Sequence, residues 1–575
     1  MDKQRLLAVA RGEILADLVL KNAKIINVFT KSVDFGNLAI ADGFIVGIGD
    51  YQGKEEIDYQ GYYLSPGFID GHVHIESSML TPNNYALAVM PKGTTSVVAD
   101  SHEIANVCGN KGIDFMIKAS KASPLDVFMM IPSCVPSTPY ETAGAKLLAK
   151  NIKKYIKQNS VLGLGEMMDY RGAINGDAEV LEKIKVFSGL TIDGHAPLVK
   201  GKDLNAYVLA GVQTDHECTE PDELIDKVKR GMYVHLREGS QTKNLLDLLP
   251  GLKPEYYDRV LFCSDDLHPS DIKAFGHMDN NIRIAINAGI PPISAISMAT
   301  INIANCYNIR NLGALAPGYK ADIVAFKDLD NISVEDVFKN GKLVVKATRA
   351  LFQASHVDAH EVMDTVNIDL KKINLEFILK QDIVNVIGLV KNNVTTKKFV
   401  KRVVLDQSEF KSSNNPNLLK LVVIERHHNT GNIGKGIVEG YGLKNAAIAM
   451  TIAHDSHNLI CLGDNDLDMK EAINKIKEIG GGIVLVSKAK IIDFLPLEVA
   501  GLMSLKTSDF VEEKLKKLEF EVRSLGVSED IEDPFLQLAF LSLAVIPELK
   551  LTDLGLFDVT EFKLIKLEAG ETNEL

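Results

Sequence analysis

The chain has 575 residues, 46% of them hydrophobic and 24% charged, with a formal net charge of −13. This is an ordinary composition for a globular protein with a large core, and the length suits two to four domains. The negative balance counts against a nucleic-acid partner, whose phosphates need a basic surface, and the lack of any run of about 18 uncharged apolar residues counts against a membrane span.

The N-terminal stretch MDKQRLLAVARGEILADLVL carries charges throughout its apolar positions, unlike the apolar core of a signal peptide. Six cysteines are scattered without a CxxC pair, the pattern of reduced thiols in a cytoplasmic protein. Residues 1–17 read as a short amphipathic helix. Short strands follow from Ala16 to Gln60, with the hairpin turn Ala41-Asp42-Gly43. A related texture returns at 317–345, where Asn340-Gly341 marks a second hairpin. The two ends together predict one small β domain of sandwich type, residues 1–64 plus 311–355, interrupted by a large insertion.

The insertion, residues 65–310, alternates strands with helical or loop segments. The expected strands are Phe68–His74, Thr94–Asp100, Asp126–Ile131, Val161–Glu166, Leu190–Asp193, Gly211–His216, Met232–Arg237 and Arg259–Asp265. Eight strands in that order predict a (β/α)8 TIM-like barrel, whose working residues sit at the C-terminal ends of its strands. Residues 360–575 read as a C-terminal α/β domain. Its strand-like runs are NVIGLVK, LKLVVIER and GGIVLVS, and its helical runs are DLDMKEAINKIKEIG and SDFVEEKLKKLEFEVRSLG. The apolar run Phe535 to Pro547 reads as a buried helix.

The strand ends carry the chemistry. In PGFIDGHVHIE, alternation along a strand sends His72 and His74 to the same side, where they can chelate one metal ion or form a hydrogen-bonded core pair. The later strands end in Asp100 with His102 and Glu103, in Glu166, near His195, in His216, in Arg237 with Glu238, and in Asp265 with Asp266. Four imidazoles (His72, His74, His195, His216) and two carboxylates (Glu166, Asp265) at one barrel mouth predict a metal site, binuclear by its ligand count. Nitrogen and oxygen ligands suit Zn, Mn or Fe. Glu166 is the natural bridge, because a carboxylate offers one oxygen to each of two metals. Glu76, Arg237 and Glu238 read either as contacts to a small-molecule substrate or as structural salt bridges. Asp100, His102 and Glu103 read as groups that orient the ligands, or as part of the site itself.

The ordered set resembles the amidohydrolase superfamily, and more narrowly its bacterial adenine deaminases. The matching stretches are PGFIDGHVHIESSM, ADSHEIANV, GLGEMMD, DGHAP, DHE, REGS, FCSDD and ERHHNTGNIGKG with HDSHN, and they span essentially the whole chain. The resemblance implies hydrolytic deamination of adenine to hypoxanthine and ammonia by a metal-activated hydroxide, in purine salvage, with a binuclear Mn2+ or Fe2+ centre. It gives Asp265 the role of proton carrier and His216 that of ligand or polarising group, alongside the bridging Glu166. Barrels of this kind often pair, so a homodimer is expected. The alternative is another amidohydrolase acting on a cyclic amide or on a different aminopurine. Against the cyclic amidases stands Glu166, in the place where such members carry a lysine. The clusters His427-His428 and His454-Asp455-Ser456-His457-Asn458 stay open: a lid over the barrel, an extra metal site, or surface polar turns.

Overall fold

The computed structural model describes residues 2–240, 242–355, 357–391 and 393–570. Eight parallel strands follow one another through the first half: β1 Phe68–Val73, β2 Thr94–Asp100, β3 Asp126–Ile131, β4 Val161–Met167, β5 Thr191–Gly194, β6 Thr214–Asp215, β7 Tyr233–Arg237 and β8 Val260–Cys263. β1 to β5 form one hydrogen-bonded sheet and β6 to β8 another. Single contacts join the two into a TIM-like barrel. The Gln213 N–H donates to the Ile192 carbonyl at 3.0 Å, and Val73 forms a parallel bridge with Asp265. Every residue of β1, β2 and β8 is buried. Strands covered on both faces tend to read as continuous apolar runs, as VLFC does; TTSVVAD instead buries Thr94, Thr95 and Ser96 in its first half and Asp100 at its end.

A nine-stranded sheet is assembled from residues on both sides of the barrel segment. Strand Tyr63–Pro66 pairs antiparallel with Ile323–Phe326, matching Pro66 to Ile323, so the chain steps from this sheet directly into β1. Both expected hairpins are present, and both residues of each turn are left-handed: Asp42 (φ 51°) with Gly43 (79°), and Asn340 (49°) with Gly341 (73°). That is the backbone a two-residue turn needs to match the twist of its strands. The N-terminal helix covers only Lys3–Ala10 rather than residues 1–17. Asp2 caps its start through the N–H groups of Gln4 and Arg5, and Gly12 turns the chain out at φ 73°.

Beyond residue 380 an eight-stranded sheet runs between Ile383 and Pro496, with the helix Asp466–Ile479 against it, and a three-stranded sheet spans Leu549–Ile565. The apolar run at 535–547 is helical only to Ala539 and then tightens into a 3-10 turn, Phe540–Ser542. The buried Lys550 ammonium takes the Phe540 carbonyl at 3.0 Å, an acceptor that a continuing helix would use. Among the described residues, no helix is long and apolar enough to cross a membrane, and all six cysteines are free.

Candidate metal centre and the cavity above it

His72 is the penultimate residue of β1, and His74 directly follows its last residue, Val73. Their Nε2 atoms lie 3.2 Å apart, as the strand alternation predicts. His74 Nδ1 sits 2.9 Å from the Asp100 carbonyl. A carbonyl only accepts, so Nδ1 carries the proton and Nε2 turns a lone pair into the site.

Glu166, at the end of β4, is the hub. Its Oε1 lies 3.2 Å from His74 Nε2 and 3.2 Å from His102 Nδ1. Its Oε2 lies 2.6 Å from His195 Nδ1 and 3.2 Å from His216 Nε2. The two oxygens thus address two separate groups of imidazoles. The Glu166 N–H donates to Asp100 Oδ2 at 2.9 Å, which fixes the backbone behind the carboxylate. A side chain at the preceding Gly165 would come within 2.1 Å of that Asp100 oxygen, so only glycine fits there.

Asp265 follows β8 in a left-handed conformation, φ 58°. Two backbone hydrogen bonds hold it there: its N–H donates to the His72 carbonyl at 2.9 Å, and its carbonyl accepts from the His74 N–H at 3.1 Å. Its Oδ1 lies 3.2 Å from His74 Nε2, and its Oδ2 accepts from Arg237 Nη1 at 2.5 Å. A strained residue over-determined by its surroundings is common at working sites.

The electrostatics call for positive charge at this spot. Burial disfavours the anions, yet His195, His102 and His216 hold Glu166 well below the carboxylate range, and Arg237 and His74 do the same for Asp265. Burial likewise opposes a charged His74, yet Asp265 and Glu166 hold it well above the ordinary histidine value; His216 is raised to about 9 against the same opposition, by Glu166. Protons on the imidazoles would meet that demand, and so would divalent cations. The donor geometry favours cations: His72, His74 and Glu166 offer ligand atoms within 4.8 Å of one another, as do Glu166, His195 and His216. The donors are all nitrogen and oxygen, a set for Mn, Fe or Zn rather than a thiolate site.

All six expected ligand residues therefore come together. His102, expected behind the ligands, also faces Glu166 directly, with its ring 4.4 Å from that of His74. Asp100 stays behind as a backbone anchor. Glu103 sits deeper, sharing Ser77 with Asp266: Ser77 Oγ is 2.5 Å from Glu103 Oε1 and 2.5 Å from Asp266 Oδ1. Burial, then Glu76 and Asp266, push Glu103 up to about 8.

A cavity of about 1290 Å³ opens above this cluster. Of the three expected substrate contacts, only Arg237 lines it, and its guanidinium is already paired with Glu217 and Asp265. Glu76 and Glu238 are not on the cavity wall. Glu76 turns inward, where Oε1 accepts from the Ile104 N–H at 3.3 Å, and Glu238 pairs through its backbone with Lys243. Sequence reasoning overlooked Glu217, whose Oε1 is 3.6 Å from His216 Nε2. Its place directly after a strand-end histidine, in QTDHECT, was the available signal. The roof comes from the C-terminal half: Val394, His454, Asp455, Phe540 and Phe562 all line the cavity. The 454–458 segment is buried rather than a surface turn.

Residues 63–344 match the amidohydrolase family model, and residues 393–563 match that of the adenine deaminase C-terminal domain. The chain is 48% identical to adenine deaminase 2 of Carboxydothermus hydrogenoformans, over 97% of this chain and 98% of that one. It is 49% identical to adenine deaminase of Clostridium acetobutylicum over 96% and 97%, and 44% identical to that of Listeria welshimeri over 99% of both. The chain belongs to the adenine deaminase family of amidohydrolases.

Proposed function

We propose that this protein catalyses the hydrolytic deamination of adenine to hypoxanthine and ammonia, a reaction of purine salvage. The observation that carries this reading is the Glu166 hub, with imidazoles on both oxygens, at the floor of a roofed cavity in a chain so close to proteins named adenine deaminase. His72, His74 and Asp265 would hold one divalent cation, His195 and His216 the other, with Glu166 bridging. When bound, such a pair, Mn2+ or Fe2+, supplies a water of lowered pKa and Lewis-acid polarisation of the substrate.

The chain's own groups manage the protons. Asp265, kept ionised by Arg237, accepts a proton from the attacking water and passes it to the exocyclic amine, which leaves as ammonia. Ser77 has one hydroxyl proton and two carboxyl neighbours. With Glu103 held protonated, its O–H donates to Ser77 Oγ, and Ser77 donates in turn to Asp266, which lines the cavity. This chain stores a second proton behind the wall. Arg237 aligns Asp265 and Glu217 together.

We also read the chain as three domains: 1–64 with 311–355, the barrel at 65–310, and 360–575. Their separate sheets support the division. The test of function is loss of adenine absorbance with Mn-loaded protein, with adenosine in parallel. Conversion of adenine alone is expected. Protein holding two metals that turns over neither would send the substrate back to the cyclic amides.

A further inference from the structure

The segment His454-Asp455-Ser456-His457-Asn458 reaches the cavity from the C-terminal half of the chain, and each of its residues is at most 4% exposed. It is held from two sides. The His454 carbonyl accepts from Ser542 Oγ at 3.0 Å, and its ring stacks on Phe540 at 4.8 Å and 15°. On the barrel side, Ser456 Oγ donates to Glu141 Oε2 at 2.7 Å and Asn458 Nδ2 donates to the Thr142 carbonyl at 2.9 Å. His427 Nε2 adds a bond to the Ser456 carbonyl at 2.8 Å.

Glu103, His454 and His457 have ligand atoms within 4.8 Å of one another, which raises a third metal site. The hydrogen bonding of His457 speaks against it. The Ala453 N–H donates to His457 Nδ1 at 3.3 Å, so the proton of the neutral ring is on Nε2, the nitrogen that faces Glu103 Oε2 at 3.7 Å. A protonated nitrogen is no ligand.

Asp455 is different. Among the described carboxylates lining the cavity, it alone is buried with an oxygen, Oδ2, that has no partner. The Nε2 of the adjacent His454 is also buried and unpartnered. Buried polar groups left unpaired are costly and point to an absent donor or acceptor. The position of Asp455 says which. Its Oδ1 is 3.7 Å from His102 Nε2, while His102 Nδ1 is 3.2 Å from Glu166 Oε1. Asp455 therefore lies one imidazole's width beyond the bridging carboxylate. A purine bound with C6 beside Glu166 and its ring alongside His102 would bring its five-membered ring to Asp455.

Resting on the deaminase reading above, we infer that Asp455 selects the free base: its carboxylate accepts the N–H of the purine's five-membered ring, with His454 meeting the neighbouring bare ring nitrogen. A purine substituted at N9 has no such N–H. It would leave the buried carboxylate unpaired and press its substituent against it. A site built to pair a polar hydrogen rejects analogues lacking it by up to about 10⁴–10⁵-fold.

The test compares kcat/KM for adenine and 9-methyladenine in Mn-loaded wild type, Asp455→Asn and Asp455→Ala, with bound metal measured in each. Wild type should favour adenine by on the order of 10³ or more. Asp455→Ala should narrow that ratio to within about tenfold, through a higher KM for adenine, with two metals retained. Asp455→Asn keeps the shape of the side chain, covers the case of a misfolded alanine variant, and should narrow the ratio in the same sense. A merely structural role would lower both substrates together. Adenine turnover with an unchanged ratio in the folded variant would overturn this inference alone; wild-type turnover of neither compound would remove the deaminase reading and this inference with it.

Discussion

His74 and Asp265 are joined twice: the His74 N–H donates to the Asp265 carbonyl at 3.1 Å, and His74 Nε2 lies 3.2 Å from Asp265 Oδ1. The contact that closes the barrel between β8 and β1 is thus also a wall of the metal centre. Opening that seam would separate the two candidate ligands, so the geometry of the site depends on barrel closure.

Asp265→Asn keeps the size of the side chain and removes its charge. The variant should lose on the order of 10²–10⁴-fold in kcat while retaining bound metal, assayed by elemental analysis beside turnover. Near wild-type kcat with both metals present would take Asp265 out of proton transfer.

Ser77→Ala cuts the chain from Glu103 to Asp266 without touching a ligand. A drop in kcat of about tenfold or more is expected, with the metal content and the KM for adenine little changed. Unchanged kcat across the pH range would show that the Ser77 hydroxyl is structural.

Chelation should abolish activity, and titration of the stripped protein with Mn2+ should restore it at two equivalents per chain. Glu166→Gln offers one strong donor oxygen where the wild type offers two, so it should bind fewer than two metals at any practical concentration. Full activity with a single equivalent would contradict the bridging role.

His268 fastens the barrel to the C-terminal half, with Nδ1 2.8 Å from Asp533 Oδ2. Burial opposes its charge, but Asp533 raises it to about 9 from an ordinary value of 6.5. A histidine raised on folding stabilises fully below its unfolded value and stops doing so as pH rises through the folded one. Relative to wild type, His268→Gln should therefore lower the melting temperature at pH 6, by less at pH 8, and not at all above about pH 10. An equal deficit at pH 6 and pH 10 would mean that the pair contributes by shape rather than charge.

Much of this protein is determined locally. Short runs rich in apolar residues mark all eight barrel strands within a few residues, because a strand covered on both faces is predominantly apolar. The candidate ligands are legible because residues at the C-terminal ends of barrel strands stand at the barrel mouth. Asp42-Gly43 and Asn340-Gly341 are equally local, since few residue pairs tolerate two left-handed positions in a row. Which groups pair was decided only in three dimensions. Glu76 and Glu238 stand at strand ends as plainly as Glu166, yet neither lines the cavity: the Glu76 carboxylate takes the Ile104 N–H, and the Glu238 backbone bridges to Lys243. HDSHN was visible as a cluster, but its place is set by contacts 315 and 316 residues apart along the chain, Ser456 to Glu141 and Asn458 to Thr142. Contacts at that separation leave no periodicity in the sequence, so the roof of the cavity exists only once both halves of the chain have folded against each other.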